Sequence, residues 1–288
     1  MNRSQKRAEL RWNSALITPT FLFYAIVFVI PVMAVVVQSL ISDHRLSLHW
    51  YEQLLGEDYY WIVLARSIWL SFLSAAISII VGYSLAYISS RLVASRWLRK
   101  LILIAVLTPL FTSAVVRAFG WQIVLGSDGI INEIFIGLGL VEAPMRLMFN
   151  QLGVVIGLVH FLVPFAYLTS SATLQSHDMS LVRAARDLGG GPWSTFWRIT
   201  VPLSRTALIA SFSINFALAI SSYVVPAVLG GGRVKVMAAL IYETFSVDLN
   251  WQLGSAIAVF VFVPVMFVLF SLEVLGRKTA IPTRGDQS

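Results

Sequence analysis

Polar residues along this chain gather in short bands, and long apolar stretches run between them. A helix that crosses a bilayer core needs ~20 mostly apolar residues. By that measure six runs qualify, near residues 15–41, 67–90, 101–125, 151–174, 206–229 and 252–275. The third is the least uniform, because Arg117 interrupts it. The pattern predicts an all-α membrane protein with six transmembrane helices and excludes an ordinary soluble domain. The uncharged stretch from Trp12 to Ser42 is too long for a signal-peptide core, and no Ala-x-Ala-like site closes it. The first run is therefore expected to stay as an anchor.

The bands between the runs are readable in the same way. Residues 42–66 hold Trp50, Tyr51, Tyr59, Tyr60 and Trp61, side chains that favour the headgroup zone, so an interfacial helix is expected there. A tight basic turn at 91–100 joins the second and third runs. In 126–150, Gly126, Gly129, Gly137, Gly139 and Pro144 are breakers, while Ile130, Ile131, Ile134, Phe135 and Leu138 make one apolar face. That reads as a short amphipathic helix. Gly230-Gly231-Gly232 marks the loop between the fifth and sixth runs. No internal repeat is visible. One membrane domain, 15–275, lies between a basic tail at 1–14 and a second tail at 276–288.

Composition agrees: 58% of the 288 residues are hydrophobic and 12% are charged. The net charge of +7 invites a nucleic-acid reading, but its distribution argues for topology instead. Fifteen of the 21 Lys and Arg residues fall on one side of the six runs, in the tails, the 91–100 turn and the loop near 175–205. The positive-inside rule then places both termini and that loop in the cytoplasm. With no cysteine, the chain has neither disulfides nor Cys-ligated metal sites.

The loop at 177–203 carries the densest local signals. Asp178 or Ser180 can cap a helix start. Met179, Val182, Ala185 and Leu188 then recur at helical spacing, and Arg183 and Asp187, four apart, can pair. Gly189 to Gly191 stop the helix, and Pro192 suits the first turn of a second one, Trp193 to Thr200. Pro202 begins the return toward the membrane. By spacing alone, this is an amphipathic interhelical loop or a docking element.

The residues of this loop resemble the coupling loop of the permease subunits of binding-protein-dependent ABC importers. That family's pattern is Glu-Ala-Ala, two variable residues, Leu-Gly, a spacer, then Phe, Ile and Leu-Pro. Ala184, Ala185, Leu188, Gly189, Phe196, Ile199 and Pro202 stand in register with it, and Arg183 stands where the family has Glu. Further segments resemble the spermidine/putrescine-type permease group: Thr112-Ser113-x-Val115-Val116-Arg117-x-Phe119-Gly120-Trp121, Leu125-Gly126-Ser127-Asp128-Gly129, Ser221-Ser222-Tyr223-Val224-Val225-Pro226 and Leu240-Ile241-Tyr242-Glu243. Thr206 stands where a second proline is common in the family. The resemblance implies a type I ABC importer permease fold in a bacterial inner membrane. It implies as partners a second permease, two cytoplasmic ATP-binding subunits and an extracytoplasmic solute-binding protein, with a polyamine or similar small solute as cargo. Arg183, Ala184, Ala185, Asp187, Leu188, Gly189, Phe196 and Pro202 would form the ATPase-coupling surface.

Polar residues inside the runs are candidates for a passage. Ser211, Asn215 and Ser222 recur at helical spacing in the fifth run, where interhelical packing is the competing role. Glu243 and Asp248 are acidic groups of the last external loop and could meet an arriving cation. His160 reads as an interhelical histidine satisfied by a neighbour. No Gly-x-x-x-x-Gly-Lys-Ser/Thr phosphate loop, metal-ligand spacing or nucleophile elbow occurs. No catalytic residue, metal or cofactor is therefore expected, and ATP hydrolysis is expected in a partner. The competing class is a stand-alone secondary transporter driven by an ion gradient. It would call for membrane-depth carboxylates and an inverted repeat, and neither is visible.

Overall fold

The computed structural model describes residues 18–19, 21–42, 45–176 and 179–278. The basic tail at 1–14, the capping candidate Asp178 and the residues beyond 278 lie outside the described residues. By its internal contacts the chain divides into two units, one of residues 1–58 with 241–262, the other of 59–240 with 263–288.

In the first unit, α1 (Phe21–Ser39) is the first apolar run. A π-helical turn at Ala25–Val29 lies just before Pro31. The wider turn relieves the clash between a proline ring and the carbonyl four residues back. A hairpin of β1 (Ile41–Ser42) and β2 (Arg45–Leu46) follows, then α2 (His49–Gly56), the short helix expected in the aromatic band. Two hydrogen bonds hold α2 in place. The Ser39 and Tyr51 hydroxyls meet at 2.7 Å, and the Trp50 indole donates to the Ile41 carbonyl at 3.0 Å.

The second unit begins with α3 (Asp58–Leu92), which starts nine residues before the expected 67. Tyr59, Tyr60 and Trp61 thus belong to its first turns. α4 (Arg96–Leu107) and α5 (Ala114–Leu125) replace the single helix expected at 101–125. The break follows from the residues between them. Pro109 lies in a 3₁₀ turn, Thr108–Phe111, and Ser113 caps α5 by accepting from the Val116 amide at 3.2 Å. The overall apolarity of 101–125 outweighed these stop and start signals.

The segment 126–150 contains α6 (Ile130–Gly137), as the apolar face predicted. Asn132 staples it: its amide donates to the Gly126 and Met145 carbonyls at 2.9 and 3.1 Å, and its oxygen accepts from the Met145 amide at 2.8 Å. α7 (Gln151–Ser176) is the fourth run. The fifth run is also broken, into α10 (Arg205–Ile220) and α11 (Val224–Gly230), where one helix at 206–229 was expected. Pro226 has no N–H, and its ring would meet the carbonyl of Ser222 in a continuous helix. A helix absent from the sequence reading, α12 (Met237–Ser246), fills the loop before α13 (Trp251–Lys278), which runs three residues past the expected 275.

α3, α7 and α10 pack closely. A Cβ on Gly82 would fall 2.6 Å from that of Ala166, so α3 and α7 cross there at a distance only glycine allows. α10 follows α7 with the Thr169 and Ser211 hydroxyls 2.8 Å apart, and meets α3 through the Phe72 and Phe212 rings at 5.0 Å. Gly157 receives Leu229 and Val225 of α11 in the same manner. Leu70, Leu158, Leu162, Ala219 and Leu229 anchor one buried cluster. Tyr83, Ala86, Tyr167 and Leu174 form another, beside the polar loop.

Candidate functional site

The loop at 177–203 folds into two short helices, α8 (Met179–Asp187) and α9 (Pro192–Leu203). Its sharp corner is a complete Schellman stop. Gly189 takes φ +85°, its amide donates to the Arg186 carbonyl at 2.9 Å, and the Gly190 amide reaches the Ala185 carbonyl at 2.9 Å. Gly189 is required by its dihedral, since nothing lies within 4 Å of a Cβ there. Gly190 is required by space, because a Cβ would sit 2.7 Å from the Ala185 carbonyl oxygen.

α9 begins at Pro192 and contains a π-helical turn, Phe196–Thr200, which like that of α1 lies just ahead of a proline, Pro202. Its axis meets that of α10 at 67°, with the break at Ser204. Ser204 pins the bend. Its hydroxyl donates to the Thr200 carbonyl at 2.8 Å and lies 2.9 Å from the Tyr83 hydroxyl on α3. Phe196 completes the attachment, with ring centroids 4.7 Å from Tyr87 and 6.0 Å from Tyr83. Trp193 and Trp197 extend the aromatic cluster at 6.2 and 5.2 Å from Phe196. The sequence reading missed Tyr83 and Tyr87. Their signal was a pair of aromatic hydroxyls four residues apart at the end of an apolar run.

The loop thus has an attached side and an open one. Thr195 and Thr200 are buried, whereas Leu188 is 89% exposed and Trp193 73%. Leu181 and Trp197 are exposed as well. Arg183, Ala184, Asp187 and Pro202 are exposed, and Ala185 is half-buried. Large apolar side chains thus stand exposed on this corner, a pattern found at interaction surfaces.

The remaining candidates are scattered. Ser211 and Asn215 lie one turn apart on α10 and are both enclosed, at 1% and 0% exposure. Ser211 is paired with Thr169, whereas neither polar atom of the Asn215 amide has a hydrogen-bond partner among the described residues. Ser222 is half-buried in the break between α10 and α11. Glu243 is half-buried on α12 and Asp248 is exposed in the turn after it, both in the first unit. His160 accepts from the Trp121 indole at 3.1 Å, the neighbour its position called for.

Comparison with known proteins extends these observations. The family described as "Binding-protein-dependent transport system inner membrane component" matches residues 78–281. Spermidine/putrescine transport system permease protein PotB of Haemophilus influenzae is 30% identical over 223 residues, 76% of this chain and 77% of its own length. Its namesake in Escherichia coli is 30% identical over 209 residues, 73% and 75% of the two chains. A chain of a bacterial ABC transporter that imports the acidic polysaccharide alginate superposes with a TM-score of 0.78 at 18% identity, covering 96% of this chain and 99% of its own. A chain of the MetNI methionine ABC transporter, in an inward-facing conformation, gives 0.58 at 16% identity, over 78% and 99%. Among the described residues five helices are long and apolar enough to cross a membrane, or six if the bent α9–α10 pair is one span. The chain belongs to the inner-membrane permease family of binding-protein-dependent ABC importers and carries its helical membrane fold.

Proposed function

We propose that this permease passes a polyamine or a similar small cation, and that the 179–203 corner receives the force of ATP hydrolysis from a cytoplasmic ATP-binding subunit. The carrying observation is the two-sidedness of that corner. Phe196 and Ser204 fasten it to α3, while Leu181 and Leu188 are turned outward and exposed. A rigid corner clamped to one membrane helix and fused to another converts a push into a rigid-body movement of both. Arg183 replaces the family's acidic residue, so the ATPase surface that meets it should offer a carboxylate.

The complex holds this chain, a second permease, two ATP-binding subunits and an extracytoplasmic solute-binding protein. Both termini face the cytoplasm, as the Lys and Arg distribution supports. The external segments then carry Glu52, Glu57, Asp58, Asp128, Glu133, Glu142, Glu243 and Asp248. With Asp43 these acids outnumber the six basic residues of that side by three, a modest negative excess that favours cations at the mouth of the path. Glu243 and Asp248 meet the solute there, and Ser211, Asn215 and Ser222 line its way. The enclosed, unpartnered amide of Asn215 supports this. An orphaned buried polar group costs on the order of 1–3 kcal/mol, which a purely structural position would shed. Asn215 is spared that cost in the state in which the passage opens against α10.

The test is uptake by the reconstituted complex with its own solute-binding protein. Labelled spermidine or putrescine should accumulate only with ATP, and Leu188→Asp should abolish uptake together with ATPase co-purification. ATP hydrolysis stimulated by the loaded binding protein without polyamine uptake would overturn the solute. Full uptake by Leu188→Asp would overturn the docking surface.

A further inference from the structure

At the end of α3 away from its aromatic first turns lies a cavity of about 590 Å³, and three helices wall it. α4 contributes Arg99 and Lys100, α3 contributes Ser89, and α7 contributes Tyr167 and Ser171. Among the described residues no carboxylate lines it, and none occurs between Asp58 and Asp128. Two cations therefore meet a hydroxyl-rich pocket in which, among the described residues, no opposite charge neutralises them.

The donors are arranged to be used. The Arg99 Nε–H is bonded to the Val93 carbonyl at 2.6 Å, which orients the guanidinium and commits only one of its five N–H donors. The Tyr167 hydroxyl is fixed 3.0 Å from that of Ser89. The Ser171 Oγ is buried and has no hydrogen-bond partner among the described residues. Ser95 caps α4, whose first turn is cationic rather than acidic, so the partial positive charge of the helix end adds to that of the side chains.

Leu103 and Leu168 form the apolar part of the wall. The outer side of α4 carries Trp97 and Ile104, which are 66% and 61% exposed. An indole and an isoleucine on that surface mark the boundary of the bilayer, with the cations at headgroup level. Basic pockets between helices at a cytoplasmic leaflet bind anionic headgroups. A topology signal alone needs positive charge in the turn; it needs neither a pocket nor an orphaned hydroxyl pointing at nothing.

We propose that this cavity binds the phosphate headgroup of an anionic phospholipid of the inner leaflet, with Arg99, Lys100 and Ser171 as its donors. The proposal rests on the cytoplasmic placement of residues 91–100, which thiol labelling of the opposite loop tests separately.

The experiment is native mass spectrometry of the assembled importer titrated with phosphatidylglycerol or phosphatidylcholine. Wild type is compared with Lys100→Gln, Arg99→Gln combined with Lys100→Gln, Ser171→Ala and Arg96→Gln. Lys100 is exposed, so Lys100→Gln should leave ATPase co-purification intact. Loss of a charge-assisted bond should weaken phosphatidylglycerol binding about tenfold in Lys100→Gln, and further in the double variant. Phosphatidylcholine binding should not change, and Arg96→Gln, outside the cavity, should match wild type. Equal phosphatidylglycerol binding by wild type and the double variant would overturn the site. Inorganic phosphate binding the delipidated complex as tightly as phosphatidylglycerol would overturn the lipid as its occupant.

Discussion

The ring of Phe196 meets that of Tyr87 edge to face, with centroids 4.7 Å apart. This contact joins the loop that should feel the ATPase to a helix that should feel the solute. Edge-to-face pairs contribute about 0.5–1.5 kcal/mol beyond the area they bury. The loop is thus held by a wedge of defined geometry, with the Ser204 hydroxyl as a second fastening.

Phe196→Ala should lower the detergent stability of the assembled complex by about 1–3 kcal/mol, less than a fully buried phenylalanine because its ring is half-buried. Leu188→Ala, at an exposed position, should leave the melting temperature unchanged and weaken ATPase retention instead. A thermal melt paired with a pull-down separates the two. Identical behaviour of both variants would refute the division into an attached and an open side.

Gly189→Val should insert normally and fail to couple. At φ +85° a β-branched residue is strained by about 1–3 kcal/mol, enough to move the corner. Gly190→Ala should give the same defect through the short approach to the Ala185 carbonyl. Normal uptake and normal ATPase retention in both variants would sink the docking role of the corner.

Asn215→Leu should stabilise the detergent-solubilised complex while reducing uptake. Leucine has a similar volume and removes an orphaned amide worth about 1–3 kcal/mol. The check is a melt together with uptake at limiting and saturating solute. A destabilised complex with unchanged uptake per assembled complex would reassign Asn215 to packing.

Single cysteines at positions 2 and 287 should resist an impermeant thiol reagent in intact cells, and one at 236 should label. No native cysteine is present to confuse the readout. Labelling of either terminus would reverse the topology.

The sequence disclosed most where one physical rule acts alone. Hydropathy located the runs, and the glycines at 189–191 announced the corner, because a left-handed dihedral selects so few residues. It disclosed least where two rules compete. At 101–125 and 206–229 apolarity argued for continuity, while Pro109, Ser113 and Pro226 argued for breaks, and the breaks prevailed. α12 was hidden beside a glycine-rich loop, although Met237, Leu240, Ile241 and Phe245 have helical spacing. Phe196 was legible from the motif; its tyrosine seat on α3 was not, since nothing in a linear pattern says which distant aromatic ring a phenylalanine will meet. The enclosure of Asn215 was equally invisible, because a polar stripe has the same spacing whether it faces a passage or a neighbouring helix.

The two-sided build of the 179–203 corner has an evolutionary consequence. Residues that fasten it inward, Phe196, Thr200 and Ser204, are separate from those that face outward, Leu181 and Leu188. On the docking proposed above, substitutions on the outward set should leave the membrane packing undisturbed, so such a subunit could drift toward a different motor while its membrane helices stay as they are. An arginine at position 183, where the coupling-loop pattern it resembles has Glu, is the kind of change that this separation should tolerate.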